Sequence, residues 1–382
     1  MPALVRVPLA LLVVSVAVLQ LTPNTVPAGA APAAVNVRRA ALNGIDCTSA
    51  QFCMAVGEAY EGGIFTQIAE RWDGQAWTLD PLPSVWPSYS AQLTDVSCVS
   101  LTFCMAVGFV NDEPSRGYSI TWDGTSWHDK WMTVQDGQNF LHGVSCYAVD
   151  RCMAVGYYTT DHGFWPYTEV WSGHGWKNRP VPMPVQTVSA EMYSIDCASR
   201  FACVATGTLR TSGSSAPLVE RWTGTQWTLQ GGAMTADVAG ADLYGSDCLV
   251  ASFCMVVGAK TPLTGPSIRV VERWNGGAWN NLGVIERPGG LYRDIACVSR
   301  HDCVAVGTRD SGRFFQATAE RWNGKTWTLQ TVPLPTTHTH LVTQLLAVDC
   351  PTATRCFAVG RTDFGQNAET LLERWNGQAW VV

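Results

Sequence analysis

The chain has 382 residues, of which 47% are hydrophobic and 15% charged, and its formal net charge at pH 7 is −6. This composition excludes a disordered chain and indicates a globular protein with enough apolar residues for a large core. No cluster of Lys and Arg runs along the sequence, so we expect no binding to nucleic acid.

The first thirty residues have the features of a secretory signal peptide. Arg6 supplies a short positive region, an apolar stretch of about 15 residues follows, and a small-x-small triplet ends at Ala30. The apolar stretch is short for a bilayer span, and no later segment is apolar enough to cross a membrane. We therefore predict a signal peptide over 1–30, cleaved near Ala30, then a linker over 31–40 and a secreted, extracellular protein without a membrane span.

Fourteen cysteines form seven pairs, and a Trp-x-Gly-x-x-Trp motif follows each pair. The pairs recur about every 50 residues, which is a period typical of propeller repeats. The predicted pairs are Cys47–Cys53, Cys98–Cys104, Cys146–Cys152, Cys197–Cys203, Cys248–Cys254, Cys297–Cys303 and Cys350–Cys356.

Each repeat contains four short strands, as the fourth repeat illustrates. Its segments EMYSIDC, CVATG, PLVERW and QWTLQ are separated by residues typical of turns, and none has helical periodicity. We therefore predict an all-β fold, a seven-bladed β-propeller over 41–382 with four antiparallel strands per blade. The predicted blades are 41–83, 92–134, 140–184, 191–230, 242–283, 291–335 and 344–382. Because the last repeat ends with a complete fourth strand, we expect the first and last blades simply to abut.

The repeat resembles the kelch repeat, and the architecture is similar to that of the galactose oxidase-like propellers. The resemblance rests on an apolar strand that ends in glycine (Gly207 in the fourth repeat), a strand that ends in an aromatic residue (Trp222) and a turn to Trp227. It covers residues 40–382. The glycine is single here, tryptophan replaces tyrosine, and kelch repeats lack the cysteine pair, so the resemblance implies the fold and no particular activity. The copper chemistry of galactose oxidase needs an unpaired cysteine, and every cysteine here has a partner.

The cysteine pair is interpreted as a disulfide that joins the first strand to the second. Cysteines that face each other across an antiparallel hairpin are close enough for a disulfide. A zinc site would need further ligands, and no His or Asp occupies a matching position in all copies. We therefore predict no metal and no cofactor.

The repeated tryptophans and charged residues are assigned to contacts between blades. The tryptophan pairs suit the gaps between neighbouring sheets. Six repeats have Glu two positions before the first tryptophan, and five have Arg one position before it. On a strand these two side chains point to opposite faces, so we expect ion pairs or cation–π contacts between adjacent blades.

The predicted ligand site lies on the face with variable connections. The loop between the first two strands and the turn between the last two are uniform and share one face, whereas the other connections vary, and recognition is usually built on variable loops. Blades four and five offer few aromatic residues there, and blades one to three offer many. We predict an aromatic platform for an extracellular glycan or protein, and the alternative is that these residues only cover loop cores. The selected residues, placed in the loops of blades one to three, are Trp86, Tyr89, Phe109, Trp131, His142, Tyr157, Tyr158 and Trp165.

An enzyme is the alternative class of function. A carbohydrate-active hydrolase or lyase would use acidic residues at the mouth of the central channel. The sequence does not select the pair, and the candidates are Glu58, Glu61, Asp112, Glu113, Asp161, Asp310 and Asp363. His338 and His340 have a spacing that suits a metal, although exposed loop histidines usually bind none. We expect a monomer.

Overall fold

The computed structural model describes residues 39–85, 89–132, 137–231, 238–282, 289–312, 314–334 and 342–382. The predicted signal peptide and most of the predicted linker lie outside these residues. Within the described residues the chain is all-β, and no helix is present that could cross a bilayer.

Seven sheets follow one another along the chain, and each has four antiparallel strands in sequence order. The first strands are β1 (Arg39–Ser49), β5 (Ser90–Ser100), β9 (Asn139–Ala148), β13 (Ser189–Ser199), β17 (Val238–Val250), β21 (Gly290–Ser299) and β25 (Val342–Thr352). The second strands are β2 (Phe52–Glu61), β6 (Phe103–Asn111), β10 (Arg151–Thr160), β14 (Ala202–Arg210), β18 (Phe253–Pro262), β22 (Asp302–Asp310) and β26 (Arg355–Phe364).

The outer half of each sheet is shorter. The third strands are β3 (Ile64–Trp72), β7 (Arg116–Trp122), β11 (Gly163–Trp171), β15 (Ser215–Trp222), β19 (Ile268–Trp274), β23 (Phe315–Trp322) and β27 (Asn367–Trp375). The fourth strands are β4 (Trp77–Leu79), β8 (Trp127–Trp131), β12 (Trp176–Asn178), β16 (Trp227–Leu229), β20 (Trp279–Asn281), β24 (Trp327–Gln330) and β28 (Trp380–Val381).

The first strands of neighbouring sheets contact each other all the way round, including β25 with β1, so they are innermost and enclose a central channel. The predicted seven-bladed β-propeller is therefore confirmed. The ring closes by packing, because each terminal blade takes all four strands from one end of the chain. At this closure the backbone N–H of Cys47 donates to Asp349 Oδ2 at 2.8 Å. The ring of Trp72 lies 5.6 Å from that of Phe357.

The second strand of each blade is an almost continuous apolar run because neighbouring blades cover both of its faces. In β2, the six residues from Phe52 to Gly57 are all buried. On the third and fourth strands, the two repeated tryptophans of every blade lie side by side, with ring centroids 5.5 to 5.9 Å apart. They fill the space between the outer parts of the blades.

The predicted contacts between blades are present. The guanidinium carbons of Arg71, Arg221, Arg321 and Arg374 each lie 4.9 to 5.5 Å from the ring of the first tryptophan of the next blade. The glutamates point the other way, and all of them except the half-buried Glu70 are buried. Glu320 forms a buried ion pair with Arg269 of the preceding blade at 3.0 Å.

All seven predicted disulfides are present, and each joins the first strand of a blade to its second strand. Because the strands alternate in direction, the disulfide-closed loops and the Trp-x-Gly-x-x-Trp turns lie at one end of the ring, which we call the cysteine face. The loops between second and third strands and the connections between blades lie at the other end, which we call the variable face.

Candidate functional site at the channel mouth

Each innermost strand has a bulge out of register with the second strand in the half that approaches the variable face. In blade one, Leu42 pairs with Gly57 and Gly44 pairs with Val56, so Asn43 has no partner. A bulge re-aims a side chain, and bulges often occur beside functional sites. The bulged residue stands four positions before the first cysteine in every blade.

The seven bulged side chains line one cavity of about 530 Å³ at the variable-face mouth of the central channel. A cavity of this size is in the range of small-molecule sites. No two neighbouring bulged residues have the same chemistry except the two tyrosines, and the series from blade one to blade seven is Asn43, Thr94, His142, Tyr193, Tyr244, Arg293 and Leu346.

An unbroken series of aromatic rings runs round one side of this mouth, with successive centroids 5.0 to 5.9 Å apart. The series is Phe109, Phe140, Tyr157, His142, Tyr193 and Tyr244. The guanidinium carbon of Arg293 continues it at 4.8 Å from the Tyr244 centroid. We call these seven residues the aromatic arc. It spans blades two to six, and five of its members line the cavity while Phe140 and Tyr157 stand behind them.

The aromatic groups of the arc are uncharged at neutral pH. Burial lowers the pKa of His142 to about 4, so its imidazole is neutral. Burial also raises the pKa of Tyr193 and of Tyr244, which keeps both hydroxyls protonated. The arc therefore offers ring faces and hydrogen-bonding groups, and Arg293 is its one cation.

The opposite side of the mouth is polar. Asn43 Nδ2 donates to the Glu58 carboxylate and, at 2.9 Å, to the carbonyl of Leu93. Burial raises the pKa of Glu58, and the Asn43 hydrogen bond and the charge of Arg361 partly offset this effect. Glu58 is the one candidate carboxylate of the sequence analysis that lines the mouth.

Two carboxyl groups from the innermost strands, Asp95 and Asp294, also line this cavity. Asp95 accepts the backbone N–H of Val144 in the next blade, and Asp294 accepts that of Val348, both at 2.9 Å. Burial, together with neighbouring carboxylates, raises the pKa of Asp95 to about 8 and that of Asp294 to about 7. These two aspartates come from blades two and six, and the charge of Asp294 contributes to the raised pKa of Asp95. Across the described residues, no group of three or more His, Cys, Asp or Glu side chains is arranged to hold a metal ion.

The structure divides the predicted platform residues between several places. Phe109, His142 and Tyr157 belong to the aromatic arc. Tyr158 packs against the apolar core between blades two and three. Trp165 is its partner on the adjacent strand.

Two further platform residues lie away from the mouth. Tyr89 and Trp131 line a separate cavity of about 320 Å³ beside Arg116 and Asp112. Trp86 lies outside the described residues, as do His338 and His340. The assignment of the platform to loops was wrong for Phe109, Trp131, His142, Tyr157, Tyr158 and Trp165, which all lie in strands.

Sequence reasoning missed Tyr193, Tyr244 and Arg293. It expected few aromatic residues in blades four and five, where the two tyrosines complete the arc. The available signal was the position four before the first cysteine, which differs between repeats although the residue before it is large and apolar in every one. The variation at this position does not by itself show that its side chain points into the channel.

The chain was compared with known proteins. No family model matches it, and no curated protein matches it. Among solved structures, it is similar to a GH74 xyloglucanase from Xanthomonas campestris, with TM-score 0.57, 10% identity, and 90% of this chain and 53% of that chain covered. It is similar to the WD40 β-propeller domain of Doa1, with TM-score 0.53, 10% identity, and 88% and 95% covered. It is also similar to a PL25 ulvan lyase, with TM-score 0.53, 7% identity, and 91% and 96% covered.

At these identities the likeness shows the fold alone. The chain is a seven-bladed β-propeller protein with a cysteine pair in each blade.

Proposed function

We propose that this protein is a secreted carbohydrate-binding propeller whose ligand enters the channel mouth on the variable face. The observation that carries the proposal is the aromatic arc, which lines a cavity of about 530 Å³ beside a polar wall. A sugar presents apolar C–H faces and hydroxyl groups together. Ring faces pack against the first, and donors and acceptors satisfy the second.

The charges at the mouth favour an uncharged sugar. The cavity is lined by the cation Arg293 and by the carboxyl groups of Glu58, Asp95 and Asp294. Burial raises the pKa of all three carboxyls, which reduces their negative charge, and the histidine of the arc is neutral. Tyr193, Tyr244 and Asn43 supply uncharged polar groups. A strongly anionic or cationic ligand would find a like charge as well as an opposite one in the same cavity.

Secretion is part of the proposal. Seven disulfides and no free cysteine suit an oxidising compartment. The predicted signal peptide over 1–30, the propeller limits 41–382 and the monomeric state belong to the same proposal, as does the kelch-like, galactose oxidase-like character of the repeat.

The test is binding of the mature protein to a panel of neutral and acidic polysaccharides, followed by calorimetry with the best ligand. Tyr193→Ala and Tyr244→Ala should each weaken binding about tenfold, because each removes a ring face from the cavity. Trp165→Ala is the matched control, since Trp165 is a half-buried aromatic residue of the same face that lines none of the cavities described here. All variants must keep the wild-type circular dichroism.

Two results would reject the proposal. One is the absence of binding to every saccharide in the panel, and the other is equal loss of affinity in the Trp165 control and the two tyrosine variants.

A carbohydrate-active hydrolase or lyase is the second candidate, and Glu58 is the observation that favours it. Its carboxylate lines the mouth and burial raises its pKa, which is the condition of a general acid. The same panel decides, because an enzyme would release reducing or unsaturated products. Glu58→Gln would abolish that release and leave binding in place. Binding without product release favours the binding module.

A further inference from the structure

Three more cavities lie next to the channel mouth on the variable face, over blades seven, one and two. Their volumes are about 380, 370 and 320 Å³. We infer that these cavities and the mouth form one groove that holds several consecutive units of a linear, uncharged polysaccharide. This inference rests on the proposed function and adds the class of ligand: a chain instead of a single sugar.

Consecutive cavities share wall residues, which places them in a row. The mouth and the first cavity share Glu58 and Gln92. The first and second cavities share Phe65, and the second and third share Val85 and Tyr89. The row therefore leads from the channel, past the junction of blades seven and one, to the outer part of blade two.

The far end of the row has its own stacking surface. Trp131 is 47% exposed there, and Tyr89 is 37% exposed. The Trp131 ring is held in place by the buried Tyr118, with centroids 5.1 Å apart, and by the guanidinium carbon of Arg116 at 5.4 Å. An aromatic ring that is fixed from behind and open in front stacks on a ligand with little loss of side-chain entropy.

Most charges along the row are paired, and the exception in the first cavity is Arg39, whose Nε donates to the backbone carbonyl of Gln366 at 3.1 Å. Arg361 pairs with Asp363 at 3.2 Å in the first cavity. In the second, Asp80 pairs with Arg71 at 3.1 Å.

The arginine of the third cavity is also paired with a carboxylate. Arg116 Nε donates to Asp112 Oδ2 at 2.7 Å. A polyanion such as a uronate polymer would need unpaired cations at regular intervals. Arg293 and Arg39 stand at one end of the row, and the arginines of the second and third cavities are paired, so the row offers no such regular series.

The experiment is calorimetry with cello-, manno- and xylo-oligosaccharides of increasing length, from the monosaccharide to the hexasaccharide. For a series that binds, the affinity of the wild type should rise with each added unit until the groove is full. Trp131→Ala should weaken binding of the longest oligosaccharide about tenfold and leave the mono- and disaccharide unchanged. Tyr193→Ala should weaken all lengths, because the mouth is occupied in every complex.

The outcomes separate the two proposals. Affinity that is independent of length, or an unchanged affinity of Trp131→Ala for the hexasaccharide, overturns the groove and leaves the mouth site standing. Failure of every oligosaccharide and polysaccharide to bind the wild type overturns both. An acidic polysaccharide that binds more tightly than all neutral ones overturns the uncharged class.

Discussion

Next to each bulge, the second strand carries a glycine for a steric reason, and this glycine pairs with the residue before the bulged one, as Gly207 does with Met192. A Cβ built on Gly207 would lie 1.9 Å from the carbonyl oxygen of Glu191, and the corresponding glycines of the other six blades give 1.9 to 2.2 Å. The bulge pushes the innermost strand onto this position, so only a residue without a side chain fits there. The glycine repeated in the sequence is therefore the mark of the bulge that lines the channel.

Gly207→Ala should destabilise the protein by about 1–3 kcal/mol, since the added methyl group forces apart two strands of a packed blade. The unfolding free energy from urea titration measures the effect. Gly213→Ala in the same blade is the control, because a Cβ there would meet nothing within 4 Å. Equal stability of the two variants would show that the bulge can relax at no cost.

At the scale of one hairpin, hydrogen bonds and a glycine with positive φ form the turn of the Trp-x-Gly-x-x-Trp motif. In blade two, Asp123 Oδ1 accepts the backbone N–H groups of Thr125 and Ser126 at 2.8 and 2.9 Å. Gly124 has a φ of 99°, which glycine adopts without strain. In five blades an Asp or Asn before the glycine fixes a tight turn that sets the two tryptophans side by side. Blades three and four have Ser172 and Thr223 there, whose hydroxyls donate to a backbone carbonyl three residues on.

The disulfide also stabilises each blade, and the loop that it closes is short. Cys197 and Cys203 face each other on β13 and β14, six positions apart. Replacing both by Ala should lower the unfolding free energy by about 2 kcal/mol, because closing a loop this short removes little entropy from the unfolded chain. Urea titration of the double variant against the wild type measures the loss. A loss below about 0.5 kcal/mol would mean that the hairpin already persists in the unfolded chain.

For the whole molecule, the repeated features of the fold could be predicted from the sequence. The residues of the channel mouth could not, because their direction depends on the register of one strand pair. Seven copies of the cysteine pair and the tryptophan motif were sufficient to predict the propeller, its disulfides and the Arg–Trp contacts between blades. The cavity was missed in part because it is built inside the innermost strands, and a one-residue bulge changes the direction of Tyr193 and Tyr244 without changing the pattern around them. Platform residues chosen because they were aromatic and irregular were consequently spread over three environments.

Buried carboxyl groups make the stability of the protein depend on pH, because folding raises their pKa. Burial raises the pKa of Asp95, Glu220 and Glu373 to about 8, against ordinary values of 3.8 and 4.5. A group whose pKa is raised on folding binds its proton more tightly in the folded state. Its contribution to stability is complete below the ordinary value and is lost as the pH rises through the raised one. His142 acts in the opposite direction between about pH 4 and 6.5, but it is one group against several.

We therefore expect the unfolding free energy to fall between pH 5 and pH 8, by about 1.4 kcal/mol per pH unit for each carboxyl that holds a proton only when folded. Urea titrations at several pH values across this window measure the slope. Asp95→Asn keeps an oxygen that can accept the Val144 N–H and cannot ionise, so it should reduce the slope. Its amide group cannot accept the Val96 N–H as the second Asp95 oxygen does, and that loss is independent of pH. Two results together would contradict this prediction: a wild type more stable at pH 8 than at pH 5, and a slope that does not change in the variant. They would show that water in the channel solvates Asp95 as well as bulk solvent does.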